Sequence, residues 1–432
     1  MAAINSVTDL SHDGDVAVIT LNSPPVNALS AKVREGLFEG FKQAGASDAK
    51  AIVLICEGRT FIAGADITEF GGAMAGPSLF DVQDMMEGSP KPVVAAIHGT
   101  ALGGGLEVAL CAHYRVAVPS ARLGLPEVAL GLLPGAGGTQ RLPRIVGVEK
   151  ALEMVTSGQH VPAKQAAAMG LVDELVEEGK LREGALAFAR KAVAEGKPLV
   201  KVRDNNARLE EARGKPEIFA NFRKANARKM RGFLAPENNI KAVEAAVNSA
   251  TFDEGLKAER KLFGELMAGP QSAAQRYYFF AERQANKIPD VPEDTPTRPI
   301  KKVGIIGAGT MGGGIAMNFA NAGIPVVIVE QKQEPLDRGL ATIRKNYERT
   351  ASRGGITAEQ VEERTGLITG SLSMDESFAD VDLVIEAVFE RMDVKKAIFT
   401  DLDRICKPGA ILATNTSGLN IDEIASVTKR PQ

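Results

Sequence analysis

Four prolines within the twelve residues Ile288 to Pro299 (Pro289, Pro292, Pro296 and Pro299) constrain this chain more than any other feature. Each removes a backbone donor and disfavours helix at the residue before it, so no helix or central strand runs through the segment. Residues 288–300 therefore read as a linker, and the 432 residues around it suffice for roughly two to four domains. Before the linker, residues 1–200 alternate β-branched runs (Val16–Leu21, Ala51–Ile55, Pro92–Ile97, Tyr114–Val118) with helical stretches such as Lys32 to Ala44, a pattern of α/β type. Over 201–287 the strand patterns give way to charged, Ala-rich helical ones, as in Asn239–Val247 and Glu254–Leu266. After the linker, 301–432 returns to strand–helix alternation, with strands expected at Lys302–Ile306, Val326–Val329, Asp382–Glu386 and Ala410–Ala413; such alternation builds a parallel sheet.

Composition narrows the class. Hydrophobic residues at 44% and charged residues at 24% supply packed cores rather than a disordered chain. The net charge of -3 gives no electrostatic drive towards nucleic acid or an anionic membrane, and no nucleic-acid partner is expected. Residues 201–231 are rich in Lys and Arg, but Glu210 and Glu211 are interspersed, so the stretch reads as a solvated helical face rather than an anion site. No run approaches the ~18 apolar residues of a membrane span, and Met1 to Asp15 has no secretory pattern. Cys56, Cys111 and Cys406 form no CxxC pair, and His12, His98, His113 and His160 lack metal-ligand spacing. Neither a disulfide framework nor a metal site is expected, and the default compartment is reducing and aqueous.

Two constellations carry chemistry. In the first, the strand ending at Ile97 runs into His98-Gly-Thr-Ala-Leu-Gly-Gly-Gly-Leu-Glu107 and then an apolar helical run. Consecutive glycines at a helix start let backbone N–H groups approach a ligand oxygen, as in an oxyanion hole; a tight helix–strand packing turn is the other reading of such a run. Ala63-Gly-Ala-Asp-Ile-Thr-Glu69 supplies a second small-residue turn opening a helix, so two turns can aim amides at one carbonyl. Glu127 follows Glu107 by twenty residues, within Leu125-Pro-Glu-Val-Ala-Leu-Gly-Leu-Leu-Pro-Gly-Ala-Gly-Gly138. Apolar surroundings raise a carboxyl pKa towards values useful for acid–base work.

In the second, Gly307-Ala-Gly309-Thr-Met-Gly312 forms GxGxxG between a strand and an Ala-rich helix, and the next strand ends in Glu330, 23 positions after Gly307. The glycines suit a tight turn, a close approach to pyrophosphate and helix packing, while the acid accepts from a ribose 2′-hydroxyl and repels a 2′-phosphate. NAD, rather than NADP, is the expected cofactor.

The motifs AGADI (63–67), HGxALGGGxE (98–107) and LPExxLGxxPGAGGTQRL (125–142) resemble the enoyl-CoA hydratase/isomerase, or crotonase, superfamily from about Val16 to Lys287. The resemblance implies that the amides of Ala65 and Gly104 form the oxyanion hole for a thioester carbonyl and that Ala63 and Asp66 contact CoA. It also implies that Glu107 activates water and Glu127 delivers a proton to the α-carbon. GAGTMGxGIA, the Glu386–Glu390 segment with Lys395, and Ala413–Ser417 resemble the L-3-hydroxyacyl-CoA dehydrogenase family. That likeness places Glu390, Lys395 and Asn415 near the nicotinamide-ribose end of NAD and Ser417 on the substrate hydroxyl; the family's catalytic His would fall past residue 432, so the dehydrogenase part is expected to be incomplete here.

Together the parts resemble the bifunctional enzymes of fatty acid β-oxidation. The expected fold is α/β: a crotonase-type ββα spiral over 1–200 with a helical extension over 201–287, the linker over 288–300, and a Rossmann-type doubly wound parallel sheet over 301–432. Expected partners are acyl-CoA thioesters, with an oligomer compatible with the sequence. The compartment would be cytoplasmic for a bacterial chain and peroxisomal for a eukaryotic one. A CoA- and NAD-binding assembly subunit without turnover is the rival reading, and the presence of both Glu107 and Glu127 counts against it.

Overall fold

The computed structural model describes residues 2–69, 75–285, 287–292 and 294–431, which form two compact units, Met1–Ile288 and Pro289–Gln432. In the first unit β1 (Ala2–Asn5), β2 (Thr8–Asp13), β3 (Val16–Leu21), β4 (Ala51–Cys56), β5 (Val93–Ile97), β7 (Tyr114–Ala117) and β10 (Glu174–Leu175) make one sheet in the order β1-β2-β3-β4-β5-β7-β10. The first three strands pair antiparallel and the remainder parallel. Every residue of β4 and β5 is buried, as continuous apolar runs in a parallel sheet require. A smaller sheet joins β6 (Thr100–Leu102), β8 (Arg122–Gly124) and β9 (Val161–Pro162).

Helix α1 (Ala31–Ala46), capped by the Ser30 side chain, packs on β2 and β3, while the helix Leu181–Ala194 packs on β4 and β5. Helices α2 (Leu79–Glu87), α3 (Gly104–Ala109) and α4 (Gly138–Val146) surround the glycine-rich loops. From 201 to 285 the only regular elements among the described residues are helices, and α5 (Leu234–Asn248) and α6 (Phe252–Met267) pack against α4. The basic stretch is more engaged than a solvated face: Arg223 forks to Glu237 and Glu244, and Arg203 pairs with Asp253. The turn after Ala63 yields only the short 3-10 segment Ile67–Glu69; the helix expected beyond it falls on residues 70–74, outside the described residues.

The second unit is a five-stranded parallel sheet in the order β13-β12-β11-β14-β15, from β11 (Val303–Ile306), β12 (Val326–Val329), β13 (Ile368–Ser371), β14 (Leu383–Glu386) and β15 (Ile411–Thr414). The chain passes from β11 through α7 (Thr310–Asn321) to β12, and later returns to the other side of β11 with β14. That reversal opens a crevice beyond the C-terminal ends of β11 and β14, where doubly wound sheets bind nucleotides. Helix α8 (Gln333–Ser352) packs on α7, and α9 (Met392–Ile405) follows β14.

Candidate active site and nucleotide site

Ala65 and Gly104 come together at the edge of the first unit. The Leu29 amide donates to the Gly64 carbonyl and Ala63 donates to Val26, so the 26–29 strand segment carries the 63–65 turn as a short parallel bridge. The buried Arg34 guanidinium fixes the same corner by donating to the carbonyls of Leu29, Ala75 and Pro77 and to the Glu69 carboxylate. A Cβ on Gly104 would lie 3.5 Å from the Ala65 amide nitrogen. Gly104 opens α3, and its amide is a first-turn donor that no helical carbonyl accepts. The two amides thus sit as neighbours, although the Ala63 amide is already bonded and Asp66 has partners of its own within the fold.

Glu107, one turn into α3, is buried at 3% exposure. Its Oε1 accepts from the amides of Ala136 and Gly138, both at 2.8 Å. Burial pushes its pKa up to about 6, against the lowering effect of these two amides and the nearby Arg141. Glu127 opens the 3-10 turn Glu127–Leu130; its Oε2 is buried without a hydrogen-bond partner. Burial, then the charge of Glu107, holds its carboxyl well above the usual range. Glu127 lies against the start of the helix that carries Glu107, because a Cβ on Gly103 would lie 2.9 Å from Glu127 Oε1. With φ of +52° as well, Gly103 satisfies both a left-handed backbone and a close approach that a side chain would block.

A third carboxylate, absent from the sequence reading, borders the same loop. Glu259 of α6 is fully buried and accepts from the amides of Gly137 (2.7 Å) and Thr139 (3.1 Å) and from the Thr139 hydroxyl. Its pKa is pushed up to about 8 by burial and by Glu107. The loop carbonyl of Ala136 accepts from Gln83 and Arg141, whose guanidinium forks onto buried Glu87.

In the second unit Gly307 has φ of +103°, and a Cβ there would stand 2.6 Å from the Ala387 carbonyl oxygen; one on Gly312 would stand 1.9 Å from that of Gly307. Gly309 has open space where its Cβ would be, at the N-terminus of α7, which suits a pyrophosphate approaching the backbone. Glu330 folds back on this loop: its two oxygens accept from the amides of Ala308 (2.8 Å) and Gln331 (3.1 Å). These residues fit a dinucleotide, with the loop amides and Glu330 as its holders.

The charged groups after β14 are arranged differently from a simple charged helix start. Lys395 is fully buried, and its ammonium donates to both oxygens of buried Glu386 at 2.8 Å, lying 3.4 Å from Glu390. Glu390 accepts from the Thr416 hydroxyl and the amides of Ser417 and Gly418, and these bonds, the hydroxyl's first, lower its pKa. The Asn415 amide donates to the Glu386 carbonyl. Glu390, Lys395, Asn415 and Ser417 are therefore one linked cluster at the β14 end, with Ser417 exposed and Glu386 as a member that sequence reasoning missed. Among the described residues there is no cluster able to hold a metal ion and no helix long and apolar enough to cross a membrane.

Residues 11–221 match the enoyl-CoA hydratase/isomerase family, and residues 302–432 match the NAD-binding domain of 3-hydroxyacyl-CoA dehydrogenase. The chain thus belongs to these two families in succession, a crotonase-type unit followed by a Rossmann-type NAD-binding one. It is 45% identical over 422 residues to the peroxisomal bifunctional enzyme of Danio rerio, covering 96% of this chain and 57% of that one. To the peroxisomal bifunctional enzyme of Homo sapiens it is 41% identical over 423 residues, covering 96% and 57%. The peroxisomal fatty acid beta-oxidation multifunctional protein of Oryza sativa subsp. japonica is 38% identical over 439 residues, with 99% and 60% covered. The chain spans less than two thirds of the length of these curated relatives.

Proposed function

We propose that the first unit hydrates trans-2-enoyl-CoA to 3-hydroxyacyl-CoA and shifts 3-enoyl to 2-enoyl double bonds at the same site, within fatty acid β-oxidation. The second unit is the nucleotide domain of an NAD-dependent 3-hydroxyacyl-CoA dehydrogenase, which consumes the hydration product. One observation carries this reading: two buried carboxyls with separated proton affinities stand together, Glu107 near 6 and Glu127 well above the ordinary range. Glu107, held by two amides, is the base and Glu127, whose proton affinity burial and the Glu107 charge both raise, is the acid, the division that addition of water across a double bond needs. Glu107 Oε1 is held by two amides, so the other oxygen takes a proton from water as the water oxygen bonds to the β-carbon. Glu127 gives its proton to the α-carbon. Negative charge that develops on the thioester oxygen meets the Ala65 and Gly104 amides. Isomerisation removes a proton from the α-carbon and returns one to the γ-carbon on the same face, which assigns it chiefly to Glu127, entering the cycle in its ionised form and protonated midway through it.

Loss of the enoyl absorbance of crotonyl-CoA on mixing with the chain is the expected result. An unchanged absorbance would favour the assembly-subunit reading. NAD, when bound in the second unit, supplies the hydride acceptor; this chain's own contribution is Glu330 and the Gly307–Gly312 loop holding the cofactor. The relatives named for peroxisomes support a peroxisomal site for a eukaryotic source, and we assign a bacterial one to the cytoplasm.

A further inference from the structure

The loop Ala136–Thr139 is gripped from two sides by alternate amides. Ala136 and Gly138 donate to Glu107, while Gly137 and Thr139 donate to Glu259, 120 or more residues further along the chain. Glu259 forms no ion pair among the described residues, since the nearby Arg141 guanidinium forks onto Glu87. A buried carboxyl without a counter-ion costs stability that an apolar side chain of the same size would not. Yet its accepting capacity is directed entirely at one short loop. The approach is close: a Cβ on Gly255, one turn earlier in α6, would lie 2.3 Å from Gln140 Oε1, so a side chain there would have to displace the Gln140 amide. Gln140 in turn donates to the Thr139 hydroxyl and to the Ala242 carbonyl of α5, which anchors the far end of the loop.

We propose that Glu259 is a positioning residue for the hydration: by holding the Gly137 and Thr139 amides it keeps the Ala136 and Gly138 amides trained on Glu107. This rests on the reading of Glu107 as the group that activates water. Without Glu259 the loop relaxes, the two donors to Glu107 lengthen, and both the orientation and the proton affinity of Glu107 change. The groups that face Glu259 are Glu107, Glu127, Arg141, Thr139 and the Gly137 amide. Burial and the charge of Glu107 favour the neutral form of Glu259, so replacing it removes chiefly the anchor of the loop rather than a charge. Loss of amide donors is then the net effect, and it moves the Glu107 midpoint upward.

The test uses the full chain with Glu259→Leu, which removes every acceptor at similar volume, Glu259→Asp, which retracts the carboxyl, and Glu259→Gln, which keeps an acceptor for Gly137. Crotonyl-CoA hydration is followed across pH, and the Glu107 carboxyl is titrated by carbon-13 NMR with Glu107→Gln as the assignment control. Expected are a kcat lower by roughly 10- to 100-fold in Glu259→Leu, KM within about twofold, and an upward-shifted Glu107 midpoint, since an ångström of misplacement has effects of this order. Glu259→Asp should show the same changes at smaller size, and Glu259→Gln should recover most of the activity. If Glu259→Leu does not fold, Glu259→Asp carries the test. A folded variant with unaltered kcat and unaltered Glu107 midpoint overturns the proposal. Absence of hydration in the parent chain alongside a shifted NMR midpoint would remove the proposed reaction and leave the positioning role standing.

Discussion

Carboxylates in the two units meet opposite surroundings. Glu107, Glu127 and Glu259 lie together with no ammonium or guanidinium of the described residues bonded to them, and burial raises the proton affinity of all three. Glu386 and Glu390 lie as close to a glycine-rich strand end, but a buried lysine and a ring of hydroxyl and amide donors match them. In the first case burial raises proton affinity without a matching cation. In the second, matched charge ties strand, helix and loop into one scaffold. On the proposed function, the first arrangement moves protons and the second holds a ligand.

The sharpest way to break this contrast is to remove one proton-transfer group at constant shape. Glu107→Gln and Glu127→Gln should each lower hydration kcat by about 100- to 10,000-fold with modest change in CoA-ester binding. Isomerisation of a 3-enoyl-CoA should suffer more in the Glu127 variant, and equal losses would refute separate roles. In the second unit the largest effect should fall on stability: Lys395→Met strands buried Glu386 without its cation and should cost about 3–5 kcal/mol, read by chemical denaturation. The double variant Lys395→Met with Glu386→Leu should regain most of that loss; a neutral single variant would mean that the pair is not structural.

Solution pH sharpens the same comparison. Hydration kcat should rise about tenfold per pH unit up to a midpoint near 6, because Glu107 must be ionised, and fall again at higher pH once Glu127 loses its proton. A profile without an acid limb in that region would contradict the assignment of base and acid. Stability of the first unit should run the other way. The folded state of Glu107 and Glu259 binds protons more tightly than the ordinary 4.5, so this contribution is greatest in acid and declines as pH rises through about 6 and about 8. Thermal midpoints of the parent and Glu259→Gln across that window test it, the variant showing the shallower decline. The smallest expected effect is Glu330→Ala, which should weaken NAD by about tenfold, or ~1.4 kcal/mol, and relax discrimination against NADP. Calorimetric titration of both cofactors decides it, and an unaltered preference would leave Glu330 as a clasp for Ala308 and Gln331 only.

Residues within short motifs were legible because local geometry dictates them. The glycines at 103–105 and 307–312, with Glu107, Glu127 and Glu330 at fixed offsets, could be read without knowing which strands pair. Glu259 could not, since its partners lie over a hundred residues away and it sits in a helix that also carries Glu254 and Glu265. A signal was nevertheless present: Phe252, Gly255, Glu259 and Leu266 fall on one buried stripe of α6, so a carboxyl occupies an inward position. Lys395 is the same case in α9, on the stripe with Phe399 and Leu402. Its nearer carboxylate partner, Glu386, is the last residue of a strand, nine positions back, a separation that no helix repeat would point to. Polar residues on an apolar stripe identify buried networks that spacing between charges misses.

The alternation of amides along Ala136–Thr139 also limits how this loop can change in length. Four of its contacts come from the main chain, so proline at any of the four positions deletes one, and at Gly137 and Gly138 any side chain would also press on Arg141 or on Glu107 itself. An insertion inside the four would carry an amide away from its carboxylate, whereas one ahead of Ala136 leaves the segment fixed by the helix that Gly138 opens. Length changes should therefore be tolerated before Ala136 and not within Ala136–Thr139, a constraint that a library of loop insertions can measure.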